Sequence, residues 1–137
     1  MHRILYVSTP APNLTITEVE DIVARSRVKN HDCKVTGFLC GSSRFFIQCI
    51  EGEQTDIENL FDMIKHDGRH HNVQVLHQGP CDSRMFSNWD MGVVLYMDRH
   101  QKIIDRYTVG QSFNPYTLEP EQCLNLLMDF SKLKNDF

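Results

Sequence analysis

A six-residue run, Phe45-Phe46-Ile47-Gln48-Cys49-Ile50, constrains this chain more than any other stretch. In an extended strand, Phe46, Gln48 and Ile50 share one face and Phe45, Ile47 and Cys49 the other. Both faces are therefore apolar, the mark of a central strand covered on two sides. One residue breaks the pattern. A buried primary amide costs a few kcal/mol (about 1–3) unless its donors and acceptor are matched. Whatever satisfies Gln48 is therefore the first question about function.

The rest of the chain supplies what such a strand needs. His2 to Ser8 read as a first strand, with Ile4, Tyr6 and Ser8 on one face, broken by Pro10-Ala11-Pro12-Asn13. Thr15 opens a helix with Glu18 at capping-box spacing. Val19, Ile22, Val23 and Ser26 form its inner stripe, and it fades near Asn30. Cys33 to Cys40 and Arg44 to Ile50 make a hairpin around Gly41-Ser42-Ser43. A second helix starts at Thr55 with Glu58 as its capping partner. It buries Ile57, Leu60, Phe61 and Ile64 and stops at Gly68. Val73 to Leu76 and Met91 to Met97 are further strands. Pro120 begins a last helix with Cys123, Leu126, Leu127, Phe130 and Leu133 inward. This order implies an α+β, ferredoxin-like βαββαββ sheet with two helices on one face and a C-terminal helical cap. The division expected is a domain over 1–97 and a helical extension over 98–137.

A chain of 137 residues with 41% hydrophobic and 23% charged content has the makings of one globular unit. A net charge of -4 and no basic cluster argue against nucleic acid or an anionic membrane as partner. No apolar stretch approaches a membrane span and no signal-peptide layout opens the chain, so a cytoplasmic location is expected. Five scattered cysteines without a CxxC pair suit reduced thiols better than a disulfide framework or zinc. His66 and His70 have an i, i+4 spacing, but Gly68 interrupts the helix between them and no metal site is expected. There is no GxSxG, no GxxxxGK loop and no carboxylate pair in a pocket, so enzymatic turnover is not expected.

Single residues have ordinary readings. Tyr6 and Gln48 on neighbouring strands could satisfy each other. Asn30 suits a helix cap, Arg69-His70-His71 a solvated loop, and Trp89 and Met91 core positions beside a strand.

Taken together, the motifs are specific. Tyr6-Val7-Ser8, Ser26 to Asn30, Val35-Thr36-Gly37, Phe46 to Gly52, Asp67-Gly68-Arg69-His70 and Phe86 to Met91 occur in order. Over roughly residues 2 to 95 they resemble the BLUF domain, a family of blue-light sensors that use a flavin. The remainder is similar to the C-terminal cap of short, single-domain BLUF proteins.

The resemblance implies an isoalloxazine ring between the two main helices, with Ile22 and Ser26 on one side and Ile64 on the other. Asn30 matches the asparagine at the flavin carbonyl edge, with Lys29 beside it, and Asp67, Arg69 and His70 match a segment near the ribityl chain. Gln48 matches the glutamine that touches both flavin and tyrosine, and Tyr6 matches that tyrosine. Implied too is a photochemical mechanism, in which Tyr6 gives an electron and a proton and Gln48 ends rearranged, shifting absorption to the red. Trp89 and Met91 match the relay segment, without a choice as to which points inward. The cofactor implied is FAD, with FMN also tolerated. With no further domain expected after Phe137, output would pass through a homo-oligomer or a separate protein partner.

Some residues depart from the family pattern. Gly41 stands where an aromatic is common, Ile50 where leucine is usual, and Arg44 where a turn glycine is frequent. A positive φ at Arg44 would be strained, so a differently built hairpin is expected. The competing reading is a flavin-free interaction module on the same fold. Retention of Tyr6, Asn30 and Gln48 speaks against it, because a flavin-free core gains from an apolar residue at 48.

Overall fold

The computed structural model describes residues 1–108, 110 and 112–133; the end of the expected 98–137 extension lies outside them. Five strands form one sheet in the order β4-β1-β3-β2-β5. They are β1 (His2–Pro10), β2 (Thr36–Gly41), β3 (Phe46–Gly52), β4 (His70–Pro80) and β5 (Gly92–Val94). Neighbours are antiparallel except β2 and β5, which run parallel. The strand carrying Gln48 is central, as its two apolar faces require.

The pleat divides the core into two. On one face, α1 (Ile16–Asp32) and α2 (Gln54–Lys65) cover Ile4, Tyr6, Leu39 and Ile50. On the other, α4 (Pro120–Ser131) places Cys123, Leu126, Leu127 and Phe130 against Leu5, Val7, Ile47 and Cys49. The fold class read from the sequence is the one observed. A short helix, α3 (Gln101–Asp105), is additional. It is too brief to carry a 3.6-residue stripe, and Ile104 is its buried residue.

Element ends differ where local chemistry competes. Thr15 caps α1 as expected, its Oγ1 accepting from Glu18 N at 3.2 Å. The helix, however, runs through Asn30 to Asp32, so Asn30 is not a cap. The N-cap of α2 is Glu53, and Thr55 lies inside the helix. Glu58 accepts from the Gln54 side chain instead, at 2.9 Å. That helix ends at Lys65 with His66 as C-cap, ahead of Gly68. Strand β4 extends to both sides of Val73–Leu76, because His70 and His71 pair with Pro10 and Thr9 instead of forming a loop. By contrast β5 is shorter than expected, three residues paired to Phe38–Cys40.

The hairpin explains the departure at Arg44. Among the described residues, positive φ occurs at Lys34, Asn72 and Gly110, and Arg44 is free of that strain. Ser42 closes the turn, its Oγ accepting from the amides of Arg44 and Phe45 at 3.1 and 3.2 Å. Gly41 stands opposite Phe46, whose ring leaves little room for a side chain at 41.

Candidate functional site

Between α1 and α2, above the sheet, lies a cleft of about 680 Å³, its open mouth included. Its floor is built from alternate positions of adjacent strands. Tyr6 pairs with Gln48, and Gln48 with Leu39 on the other side, so all three project toward the helices. Val19, Ile22, Val23, Ser26 and Asn30 of α1 form one wall, at the spacing that gives a helix one face. Leu60 and Ile64 of α2 form the other, and Asp67, Arg69 and His70 line one end. Lys29 is the one expected binding residue outside this cleft. It lines an adjoining groove, where its Nζ lies 2.9 Å from Met63 Sδ.

Three side chains are linked across the floor. Tyr6 donates its hydroxyl hydrogen to Gln48 Oε1. Gln48 Nε2 then points to Met91 Sδ at 3.2 Å. A thioether has no proton to give, so the amide nitrogen must face it and the oxygen must face the phenol. Burial pushes the Tyr6 phenol well above its ordinary value, with the Asp67 charge adding to the effect. The phenol therefore remains a hydrogen-bond donor throughout the ordinary pH range. Phe61 lies against its ring at 5.3 Å between centroids.

At one end of the cleft, Arg69 clasps Asp67 through Nη2 at 2.7 Å. This bond holds the Asp67 carboxyl below the usual carboxylate range, against a smaller effect of burial. His70 bridges two elements. Its Nε2 meets the Ile64 carbonyl at 2.6 Å and its Nδ1 the Ser8 hydroxyl at 2.8 Å. A carbonyl only accepts, so Nε2 carries a proton.

Asn30 is split between two demands. Its Nδ2 donates to the Asp90 carbonyl at 2.7 Å, while Oδ1 is buried and has no hydrogen-bond partner. A buried acceptor left open in a cleft of this kind calls for a ligand with a donor. Flavin fits that demand, since its ring presents an N–H between two carbonyls to a polar side chain and flat apolar surface to the helices.

The family model described as "BLUF: Sensors of blue-light using FAD" matches residues 1–92. The chain belongs to the BLUF family. A photoactivated adenylate cyclase subunit beta from Euglena gracilis is 30% identical over 93% of this chain. The chain spans 16% of that relative's length. The solved photo-activated state of BlsA superimposes with a TM-score of 0.88 at 25% identity, covering 99% of this chain and 98% of that one. The dark state of BlrB, a BLUF protein, shares the fold with a TM-score of 0.78 at 22% identity, covering 93% and 92%. As a BLUF domain, the chain is a flavin-based blue-light sensor.

Of the two residues expected to relay the signal, Met91 is the inward one, buried against Gln48. Trp89 sits toward the opposite side of the sheet, edge-on to Phe38 at 6.0 Å, and is packed against the core beneath α4. Sequence reasoning missed two further participants. Arg27 donates from Nε to the Met91 carbonyl at 3.0 Å. Glu51 is fully buried and pairs with Arg3 at 2.7 Å. The signal for Arg27 was its place one turn from Asn30; that for Glu51 was an acidic residue at the end of an apolar strand.

Proposed function

We propose that Tyr6 and Gln48 are the photoactive pair of this BLUF domain and that Met91 reads the state of Gln48. The observation that carries the proposal is the unbroken chain from the Tyr6 hydroxyl through the Gln48 amide to the Met91 sulfur, on the floor of the cleft. A flavin held in that cleft would supply blue-light absorption and an electron-accepting ring.

The residues do the rest. Ile22 and Ser26 on α1 and Ile64 on α2 would hold the ring between them, and Asn30 Oδ1 would accept from its donor edge. Asp67, Arg69 and His70 would hold the side chain that leaves the ring. Lys29 enters only as a cation over the adjoining groove between α1 and α2. Tyr6 loses an electron and passes its proton to Gln48 Oε1 along an existing bond. When electron and proton return, Gln48 settles in its other arrangement, rotated or tautomeric. A rotated amide turns oxygen toward the Met91 sulfur, two acceptors facing each other, and Met91 gives way.

FAD is the flavin we assign, on the family's description; FMN would make the same ring contacts. We assign the chain no turnover of its own. Its output passes to a second copy or to a separate effector protein, a reading supported by relatives named as cyclase subunits of which it spans a sixth or less. Residues 1–97 are the sensing unit in this reading and 98–137 the cap through which partners are met. The location is the cytoplasm; among the described residues no helix is long and apolar enough to cross a membrane.

Gln48→Leu tests the proposal. The variant is expected to retain flavin, because the apolar walls and Asn30 are intact, and to show no red-shifted state after blue light. A persisting shift in that variant would move the switch to another residue.

A further inference from the structure

The Glu51 carboxylate is completely buried, on the face of β3 opposite Gln48 and three residues beyond it. Four donors converge on it. Arg3 reaches Oε2 with Nε at 2.9 Å and Nη2 at 2.7 Å. The backbone amides of Met85 and Phe86 reach it at 2.9 Å each. Two cations, Arg3 again and Arg84, tie the same loop down. Arg3 Nη2 also holds the Ser83 carbonyl at 3.1 Å. Arg84 bonds the Glu51 and Lys34 carbonyls at 3.0 and 2.6 Å and the Thr36 hydroxyl at 2.8 Å.

The segment 85–91 is thus attached to one strand at both ends. At its start, two amides are held by a buried carboxylate; at its end, the Met91 side chain is held by an amide that can rearrange, while Arg27 bonds only its backbone carbonyl. The two attachments differ in kind. Charge-assisted bonds to a desolvated carboxylate are strong and have no second arrangement to occupy. A neutral amide–thioether contact is weak and reversible. Between the two ends, Trp89 makes backbone bonds to Phe86 and to Gly37, at 3.1 and 3.0 Å.

We propose that Glu51, held by Arg3, is the fixed pivot of the signalling segment: a positioning residue that confines the response to Gln48 to residues 87–91. Without such an anchor, release of Met91 would dissipate into the loop before it. With it, the displacement is directed to Trp89 and β5. The pivot rests on the photoswitch reading above.

Amide hydrogen exchange of the flavin-loaded protein, resolved by residue and compared in darkness and under blue light, tests the pivot. In the wild type, the amides of Trp89, Asp90 and Met91 are expected to change rate on illumination. Those of Met85 and Phe86 are expected to stay equally slow in both conditions. In Glu51→Gln, a light-dependent difference of several-fold is expected to appear at Met85 and Phe86, with the flavin red shift retained. A merely structural role for Glu51 would instead speed these amides equally in darkness and light, and that result overturns the proposal. If Glu51→Gln fails to fold, the wild-type comparison decides alone: light-dependent exchange at Met85 and Phe86 refutes a fixed pivot. Trp89, the one tryptophan of the chain, adds a second readout. Its light-induced fluorescence change is expected to fall at least twofold in the variant. A wild type lacking any red shift would instead count against the photoswitch, whatever the exchange pattern.

Discussion

Gln48 has an acceptor oxygen and an NH2 group to place; Tyr6 takes the oxygen and the Met91 sulfur one N–H. The arrangement is satisfied without being locked, because the thioether is a poor acceptor. That imbalance gives the amide a second arrangement at low cost. Asn30 is the complementary case: its nitrogen is committed to the Asp90 carbonyl and its oxygen is open. Asn30→Ala removes both functions. Loss of the acceptor is expected to raise the flavin Kd about tenfold, the equivalent of about 1.4 kcal/mol, read by titration of flavin fluorescence. An unchanged Kd would place the ring's polar edge elsewhere. The amide pattern at 48 and the tyrosine at 6 were legible because a polar group inside an apolar strand has few explanations. Asn30 was harder to read alone, since an asparagine near a helix end more often caps than binds. Its burial inside α1 is a tertiary fact.

Among the elements, α4 is the one whose role the chain order least reveals. Its stripe of Cys123, Leu126, Leu127 and Phe130 was readable as a helix face, but not the surface it would cover. In the structure it seals the second face of the sheet, opposite the cleft, with Phe130 fully buried. Phe130→Ala is expected to cost about 3–5 kcal/mol, measured as a lower urea midpoint. A loss below about 1 kcal/mol would mean that the helix is peripheral to the fold. Strand types and order were legible from alternation and breakers, whereas strand ends were not. β4 gains its first residues by pairing with Pro10 and Thr9, and β5 is limited to the three residues that pair with Phe38–Cys40 of its parallel partner. Both limits are set by neighbours distant in sequence. The hairpin departs from the family pattern as Arg44 led one to expect, its turn closed by the Ser42 hydroxyl without a glycine conformation.

At the scale of the whole molecule, burial holds several neutral acids protonated. It pushes the Cys123 thiol from 9.0 up to about 12, and the buried Cys49 thiol is raised as well. Tyr107 rises from 10.0 to about 12 through burial and its bond to Asp129. Below these ordinary values folded and unfolded chains bind the same protons, so the contribution is fully present. As pH rises past 9.0, the unfolded chain sheds the Cys123 proton first, and the contribution is lost progressively toward about 12. Stability is therefore expected to fall on the alkaline side, by up to about 1.4 kcal/mol per pH unit for each such fully shifted group. Urea midpoints near pH 8 and pH 10 would show it; equal midpoints would mean that these groups are accessible in the folded state. The Asp67–Arg69 pair acts at the other end of the scale. Its lowered carboxyl pKa adds a contribution present above the ordinary aspartate value and lost as pH falls through the folded one. Exposure of the pair keeps that contribution small.

In the proposed mechanism, Tyr6 and Gln48 convert light into a rearranged hydrogen bond. The most direct test is the absorption spectrum of the flavin-loaded protein before and after blue light, with the wild type and Tyr6→Phe side by side. A reversible red shift in the wild type, absent from a Tyr6→Phe protein that still binds flavin, is the result expected. A full shift in the variant, or a wild-type flavin that bleaches instead of shifting, would contradict it.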